Sequence, residues 1–401
     1  MIKVKKVLVL LFSVFLLASC SSNKSSENAI DEGQIELIKD VQASVSENFY
    51  YQQLSDVEKE NYARLRLAFN DFSDEVTLKE VDDESLAKIS TAFTNDNPDV
   101  FWFNDYTYQT DGNDQLILEI ETPDDVEEIY QLIEVMSEQI LAEMPTDSDY
   151  SRVKYLYEFI INYTDYNTLA LTDDSELDKG QDIRSVFIDQ LSVCSGYSKA
   201  FQYLANKAGI PTTYIVGFAR SDKTEESELP HAWNTVIING QSYNVDTTWG
   251  DPIFEGEMSE DMSDTINYHF LCVPDYLFNN SHTASDDILF QDGSSIDDVW
   301  TLPTSTDNSL NYYVQAGCFF ESYQRGEMES YVEQLSHSEN LKQIELVFEN
   351  QESYDLALND LLEEGFFGEL IQKYILGDID FEYNFIYDDV NYYICINIPG
   401  R

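Results

Sequence analysis

The sequence predicts a globular protein of mixed helices and strands, in which a helix that begins at a cysteine precedes a two-stranded hairpin. Three observations predict it. Hydrophobic residues make up 43% of the 401 positions, and the chain has 27 Tyr and 23 Phe, an aromatic content that disordered chains lack. Apolar residues recur at helical spacing in several segments. The pair Asn239-Gly240 separates two β-rich runs, which is a strong hairpin signal.

The N-terminus has the features of a secretory signal. Three lysines precede the apolar run 7–17, which is too short to span a membrane. The last residue of this run begins the sequence Leu-Ala-Ser-Cys at 17–20, which resembles the lipobox of bacterial lipoproteins. We therefore expect residues 1–19 to be a signal peptide, Cys20 to be lipidated and residues 20–34 to form a flexible tether. The resemblance implies a protein anchored at the cell membrane, on its extracytoplasmic face.

The charge of the chain restricts its partners. Asp and Glu number 76 against 22 Lys and Arg, which gives a formal net charge of -54. Such a chain repels nucleic acid, and its folded part repels anionic membranes and wall polymers. We therefore expect no nucleic-acid partner, and membrane attachment through the N-terminal lipid only.

The first part of the folded chain is expected to contain helices and strands. Apolar spacing predicts helices around 35–70 and 123–163. Strands are predicted at 100–109 and 115–120, where β-prone residues dominate. We assign residues 35–120 to an N-terminal region that precedes the chemically informative part of the chain.

A helix is predicted to begin at Cys194. Its buried stripe has spacing i, i+4, i+7 and i+11 and consists of Tyr197, Phe201, Leu204 and Ala208. Gly209 and Pro211 end the helix. Cys194 then lies at the helix N-terminus, where free N–H groups and the helix dipole favour a thiolate. Its backbone N–H is also placed to donate to an oxyanion.

The hairpin brings a histidine and a carboxylate together. If the Asn-Gly pair forms a two-residue loop, Ile238 pairs with Gln241, and Asp246 lies opposite Trp233. His231 and Asp246 are then diagonal neighbours on one face of the hairpin. Thiolate, general base and orienting carboxylate form a nucleophilic set. The alternative is that His231 is a satisfied core histidine and Asp246 a turn-side carboxylate.

Four segments resemble the bacterial transglutaminase-like superfamily. They are Val-Cys-Ser-Gly-Tyr-Ser-Lys-Ala-Phe at 193–201, Ala-Gly-Ile-Pro at 208–211, His-Ala-Trp-Asn at 231–234 and Tyr-Asn-Val-Asp-Thr-Thr-Trp-Gly-Asp-Pro at 243–252. The stretch 268–282, with Tyr268, Phe270 and His282, also resembles the segment that comes after the aspartate in this family. The similarity extends over roughly residues 120–285, and we assign residues 121–290 to a catalytic domain.

This resemblance implies an α+β fold of papain-like type, with a nucleophile helix packed on an antiparallel sheet. It also implies that Cys194 attacks an amide carbonyl, that His231 transfers the proton and that Asp246 orients His231. Water as acceptor gives hydrolysis of peptide or isopeptide bonds, and an amine gives cross-linking. The Gly-Gln-Cys-Trp arrangement of the animal enzymes is missing, which disfavours calcium-dependent cross-linking. The expected partner is a peptide or protein at the cell surface.

Four further residues are candidates for the site. Gln190 is a candidate oxyanion donor by residue type. Gly196, Trp233 and Trp249 are candidates for the substrate groove, although the two tryptophans also suit packing roles. We expect no cofactor and no metal, because the remaining histidines show no ligand spacing. These histidines are His269, His282 and His337.

Residues 300–401 are predicted to form a small α/β module. The expected elements are strand 312–320, helix 328–335, strand 343–348, helix 354–362 and strand 391–398. Two other functions stay open for the whole chain. The central domain could bind a wall peptide or protein without catalysis, or it could support a C-terminal module that contacts another surface protein. The intact Cys, His and Asp set favours the enzyme.

Overall fold

The structure is a computed structural model. It describes residues 13–14, 32–111, 115–220, 228–251, 266–289, 294–338, 341–376 and 384–398. The expected lipidation site Cys20, most of the expected signal peptide and residues 20–31 of the tether lie outside the described residues. Residues 32–34 already belong to the first helix rather than to a tether.

Helices occupy fifteen segments of the described chain. They are α1 (Glu32–Ser44), α2 (Phe49–Gln52), α3 (Asp56–Asn70), α4 (Asp83–Asp96), α5 (Val126–Ala142), α6 (Asp149–Tyr163), α7 (Asp174–Lys179), α8 (Ile183–Phe187), α9 (Cys194–Lys207), α10 (Thr247–Gly250), α11 (Asp275–Phe278), α12 (Tyr312–Ala316), α13 (Arg325–Leu335), α14 (Gln351–Ala357) and α15 (Phe366–Ile371). Short 3₁₀ and π turns occur at Thr168–Leu171, Tyr268–Phe270, Leu358–Glu363 and Gln372–Leu376.

The strands of the described residues form five sheets. They are β1 (Ser13–Val14), β2 (Glu75–Lys79), β3 (Asp105–Thr110), β4 (Gln115–Ile120), β5 (Asp165–Tyr166), β6 (Leu191–Ser192), β7 (Thr212–Ala219), β8 (Leu229–Ile238), β9 (Gln241–Val245), β10 (Leu271–Val273), β11 (His282–Ala284), β12 (Ile288–Leu289), β13 (Ser295–Ile296), β14 (Phe319–Phe320), β15 (Gln343–Phe348), β16 (Asn384–Asp388) and β17 (Tyr393–Asn397).

The central sheet has the order β10-β9-β8-β7-β11, and every neighbouring pair in it is antiparallel. Helix α9 packs against this sheet, and Ser198 Oγ donates a hydrogen bond of 2.9 Å to the carbonyl of Ala232 on β8. A helix that begins at the cysteine and lies on an antiparallel sheet is the α+β arrangement that the sequence predicts. That prediction is confirmed.

Helix α9 forms as its apolar spacing predicts. Tyr197, Phe201 and Leu204 are fully buried along one face of it. The helix ends before Gly209, which has φ +78, a left-handed conformation that glycine adopts without steric cost. Burial of this face fixes α9 in the core, so the N-terminal residue Cys194 has a defined position.

The β8–β9 hairpin has the predicted register at its turn. Ile238 pairs with Gln241, and both turn residues have positive φ, as a type I′ turn requires. Pairing continues to Asn234 opposite Val245 and stops there. Asp246 leaves the strand and caps α10, so the predicted pairing of Asp246 with Trp233 is wrong. The short helix takes over because Asp246 accepts hydrogen bonds from its first N–H groups.

The N-terminal region packs directly on the central sheet. Its sheet has the order β1-β3-β4-β2, and the sequence pattern predicts β4 but neither β2 nor α4. The strand predicted at 100–109 begins only at Asp105, because residues 100–103 bury their side chains in turns. Tyr50 Oη donates a hydrogen bond of 2.8 Å to the carbonyl of Tyr214 on β7. One continuous core extends from Val45 to Trp300.

The C-terminal module has its own core and a sheet of order β14-β15-β17-β16. The strand predicted at 312–320 is wrong, because residues 312–316 form α12 and only Phe319–Phe320 is a strand. Asn311 caps this helix through a bond of 2.9 Å to the N–H of Tyr313, and Gly317, at φ +76, ends it. Helix α15 and strand β16 are additional to the prediction.

In the described part of the chain, no helix has both the length and the apolar character needed to cross a membrane.

Candidate active site

Cys194 is the first residue of α9, and the preceding Val193 is extended. The side chain is largely buried, with 6% of the residue exposed. Two contacts hold the start of the helix in place. Tyr197 Oη lies 2.7 Å from the carbonyl of Thr164, and it also lies 2.7 Å from Asp251 Oδ2. The nucleophile helix is thereby connected to the segment after Asp246.

His231 lies on β8 and Asp246 immediately after β9. His231 Nε2 is 2.7 Å from Asp246 Oδ2, so the hairpin and the α10 cap bring the two side chains together. The thiol of Cys194 faces the same imidazole and contributes to its raised pKa. Because Nε2–H of His231 donates to the Asp246 carboxylate, Nδ1 of His231 is the ring nitrogen that can accept the thiol proton of Cys194. The structure therefore brings together all three residues of the predicted nucleophilic set.

Asp246 is fully buried and accepts hydrogen bonds on both oxygens. Oδ1 accepts from the backbone N–H of Thr248 at 2.9 Å and of Trp249 at 3.2 Å. Oδ2 faces two imidazoles, His231 and His282. Burial alone would raise the pKa of Asp246, but the charge of His231 and the hydrogen bonds from both histidines hold it well below its usual range. Asp246 is therefore an anion at every physiological pH.

The pKa of His231 moves in the opposite direction. Burial alone would lower it, but the charge of Asp246 and hydrogen bonds to Asp246 and Cys194 raise the pKa to about 10. His231 is thus a strong proton acceptor for the thiol of Cys194. An imidazolium beside a thiolate is the charge arrangement that activates a cysteine nucleophile.

His282 is a site residue that the sequence prediction did not include. Its Nε2 lies 3.0 Å from Asp246 Oδ2, and its side chain is fully buried. The signal for it was the family resemblance of residues 268–282, but the chain pattern alone does not place it beside Asp246. The contact depends on the pairing of β11 with β7, which is long-range in sequence.

The group His231, Asp246 and His282 offers three donor atoms within 4.8 Å of one another, all on buried residues. These residues could therefore hold a metal ion. The carboxylate oxygen between them already lies at hydrogen-bonding distance from both imidazoles. The expectation that the site uses no metal stays a prediction.

The two predicted groove tryptophans lie at the site, around the two histidines. Trp233 is 2% exposed, and its ring is 6.2 Å from that of His231 between centroids. Trp249 is half-buried, 5.7 Å from the ring of His231 and 4.7 Å from the ring of His282. Trp233 therefore packs mainly inside the domain, whereas Trp249 has a partly exposed surface beside the catalytic set.

The predicted groove role of Gly196 is wrong. A Cβ on Gly196 would lie 2.1 Å from Ser192 Oγ, 2.5 Å from Ser185 Oγ and 2.6 Å from the carbonyl of Gly180. Glycine is needed there because α9 packs closely against the segment that precedes it, and no space is left on that side for a substrate.

Gln190 is exposed, and its φ of 53 is in the left-handed region. Its carbonyl accepts a hydrogen bond of 3.0 Å from the N–H of Asp165. The neighbouring Tyr166, on β5, pairs with Ser192 on β6, two residues before Cys194. Burial, followed by the charges of Cys194 and Asp246, raises the pKa of Tyr166, so its hydroxyl keeps its proton and can donate it.

Comparison with known proteins identifies one family model and several similar proteins. Residues 138–247 match the model of the transglutaminase-like superfamily. The chain is 27% identical to the mouse kyphoscoliosis peptidase and 26% identical to the human one over 141 residues, which are 34% of this chain and 21% of each relative. A crystal structure of a TGase is 17% identical, covers 40% of this chain and 48% of its own, and has a TM-score of 0.26.

Residues 138–247 therefore belong to a domain of the transglutaminase-like superfamily. The matched part spans about a fifth of the length of the curated relatives, since it covers 21% of each.

Proposed function

We propose that this protein is a Cys-His-Asp enzyme that acts on peptide or isopeptide bonds through an acyl-enzyme on Cys194. The observation that carries the proposal is the shared imidazole. His231 faces Cys194, which contributes to its raised pKa, and lies 2.7 Å from the Asp246 carboxylate. A buried cysteine with a structural role has no need of a charged, oriented base.

The chemistry is dictated by these positions. Sγ of Cys194 attacks the carbonyl carbon of the substrate amide, and the thiol proton is held on Nδ1 of His231. The C–N bond then breaks, and the same proton goes to the leaving amine. Water attacks the thioester, gives its proton to His231 and releases the carboxylic acid and the thiol. Asp246 stays ionised throughout and stabilises the imidazolium.

Hydrolysis is the main proposal, and transfer of the acyl group to an amine is the alternative. Both reactions pass through the same thioester, and they differ only in the nucleophile that resolves it. A wall-peptide or protein-binding role without catalysis is a further alternative. It predicts that Cys194 reacts no faster than the other buried thiols.

The location is proposed from the N-terminal pattern. We propose that Cys20 carries a lipid and that the enzyme acts outside the cytoplasm on a peptide or protein at the cell surface. Expression of the full chain in a bacterial host, with an alkynyl fatty acid, tests this. Label on the wild type and none on Cys20→Ala would support it, and an unlabelled wild type would contradict it.

The pH dependence of iodoacetamide alkylation, followed by mass spectrometry, tests the activity. Cys272, Cys318 and Cys395 are internal controls, because burial raises the pKa of each. We expect Cys194 to react at pH 6 at least ten times faster than these thiols, and this advantage to be lost in His231→Ala.

The outcomes separate the alternatives. Uniformly slow alkylation of all four cysteines and no effect of His231→Ala would overturn the proposed enzymatic function and leave the binding role.

The alkylation experiment is repeated with EDTA, because three site residues could hold a metal. If His231, Asp246 and His282 are joined by hydrogen bonds alone, the alkylation rate of Cys194 should be the same with and without EDTA. An alkylation rate that changes with EDTA and is restored by zinc would identify a metal site.

A further inference from the structure

His282 makes a contact that the proposed mechanism does not use. It is the first residue of β11, and β11 pairs with β7 at the edge of the central sheet. Its side chain is completely buried, and its Nε2 reaches Asp246 Oδ2 at 3.0 Å. Asp246 thus lies between two imidazoles.

The proton positions on His282 are set by its neighbours. Asp246 is ionised and has no proton to give, so Nε2 of His282 must carry the hydrogen of this bond. Nδ1 is then an acceptor in the neutral ring. Ser281 Oγ lies 2.8 Å from Nδ1 and is closer to it than to the carbonyl of Phe278, which is 3.4 Å away. Ser281 therefore donates to His282, and His282 donates to Asp246.

Aromatic rings fix the orientation of His282. Its ring stacks on Phe278 with 4.0 Å between centroids and meets Trp249 at 4.7 Å and Trp233 at 5.2 Å. This enclosure removes water from the imidazole, so burial lowers its pKa to about 4, against the opposing effect of Asp246. His282 is a neutral, immobile hydrogen-bond donor.

We propose that His282 is a positioning residue of the active site, which holds the Asp246 carboxylate in the orientation that His231 requires. This inference rests on the proposed function. With His282 in place, each oxygen of Asp246 has two donors, because Oδ1 already accepts from two backbone N–H groups. Without it, Oδ2 is held by His231 alone, and the carboxylate can turn away from the base.

Among the described residues, few charged or titratable groups surround this contact. His282 faces Asp246 and, beyond it, His231. Burial, followed by the charge of Asp246, raises the pKa of Tyr157. Burial, followed by the charges of Cys194 and Asp246, raises the pKa of Tyr166, so both tyrosines stay protonated. The positive charge of the site therefore resides on His231, and its stability depends on the carboxylate that His282 holds.

Two substitutions test the role. In His282→Phe the volume is kept and the N–H donor is lost, whereas His282→Gln keeps a side-chain N–H. We expect His282→Phe to slow alkylation of Cys194 at pH 6 about tenfold, as loss of one bond to a charged group predicts, and to move the acid limb of the pH profile upwards. His282→Gln should restore most of the rate and return the acid limb towards its wild-type position. A purely structural role would change stability and not this profile.

Chemical rescue provides a second measurement. A cavity of about 350 Å³ reaches His282 and is also lined by Trp233 and Phe278. In His282→Ala at about pH 8.5, where both additives are mainly neutral, imidazole entering through this cavity should restore alkylation. Neutral 1-methylimidazole, which has no N–H to donate, should not. His269→Ala, at a histidine that touches neither Cys194 nor Asp246, is the matched control and should keep the wild-type rate and show no rescue.

The results distinguish this inference from the proposed function. A reactive Cys194 in the wild type, with wild-type pH profiles in His282→Phe and His282→Ala, would overturn the positioning role and leave the enzyme intact. Equal rescue by imidazole and 1-methylimidazole would also overturn it, because filling the space would then be sufficient. An unreactive Cys194 in the wild type would overturn the proposed function itself.

Discussion

The carboxylate of Asp246 sets the protonation state of the whole site. Its charge is the largest effect that raises the pKa of His231, which reaches about 10 although burial opposes it. At pH 7 the imidazole therefore carries a proton that an ordinary histidine, with a pKa near 6.5, would mostly have lost. A thiolate on Cys194 gains a cationic neighbour across the neutral range.

Replacing Asp246 by Asn should remove this advantage. The amide has no charge, so the pKa of His231 falls towards or below its ordinary value and the imidazolium is lost as the pH rises through about 6.5. We expect alkylation of Cys194 between pH 6 and 8 to slow by at least tenfold. Asp360→Asn, in the C-terminal module, is the control. A rate in Asp246→Asn equal to that of the control would contradict the assignment.

The second oxyanion donor can be assigned by a pair of substitutions. Tyr166 is half-buried and pairs with Ser192, and burial followed by the charge of Cys194 raises the pKa of its hydroxyl. Gln190 is exposed at a turn. Loss of one oxyanion donor typically slows acyl transfer by about 10² to 10³. We expect Tyr166→Phe to slow release of the leaving group from an activated acyl substrate by a factor in this range, and Gln190→Ala to have little effect. The reverse result would restore Gln190 as the donor.

At the scale of the elements, the nucleophile helix depends on a close approach to the preceding segment. A Cβ at Gly196 would overlap Ser192 and the backbone of Gly180. Overpacking of this kind usually costs about 1 to 3 kcal/mol. We expect Gly196→Ala to lower the free energy of unfolding by this amount in urea denaturation. In Gly326→Ala the new methyl group meets no atom within 4 Å, so this control should be neutral or slightly stabilising.

The elements that the sequence predicts well are those with local signals. The apolar stripe and Gly209 define α9, and the Asn-Gly pair defines the register of the β8–β9 hairpin. The fold class and the convergence of Cys194, His231 and Asp246 follow from these local patterns together with the family resemblance.

Other features depend on contacts between segments that are distant in sequence. His282 reaches Asp246 only because β11 pairs with β7. The role of Gly196 depends on Ser185 and Gly180, which no local pattern relates to it. At residues 312–316 a strand-like composition forms a helix, because Asn311 caps it and Gly317 ends it. Composition alone does not reveal which of these competing signals prevails.

At the scale of the whole molecule, His269 connects the catalytic domain to the C-terminal module. Its Nε2 lies 3.2 Å from Tyr313 Oη, and its ring meets Tyr393 on β17 with 4.5 Å between centroids. Burial lowers the pKa of His269 to about 4, against the weaker opposing effect of Asp388. The junction is therefore built around a neutral imidazole.

The buried histidines predict how stability varies with pH. His269 and His282 have folded pKa values of about 4, below the 6.5 of an unfolded histidine, so the unfolded state binds more protons between these values. The stability that these two neutral histidines contribute is then lost as the pH falls from 6.5 towards 4. His231 has a folded pKa of about 10, so its contribution is present below 6.5 and is lost as the pH rises towards 10. Taken together, the contributions of these three histidines are largest near pH 6.5.

Thermal unfolding of wild type, His269→Phe and His337→Gln from pH 4 to 8 tests the part played by the junction. The phenyl ring keeps the contact with Tyr393 and cannot take up a proton. The melting temperature of His269→Phe should therefore decrease less between pH 6.5 and 4 than that of the wild type. His337 is exposed, and His337→Gln should follow the wild type. An equal decrease in melting temperature on acidification in all three proteins would mean that His269 does not take up a proton on unfolding. The group responsible for the acid sensitivity would then lie elsewhere, and His282 would be the next residue to test.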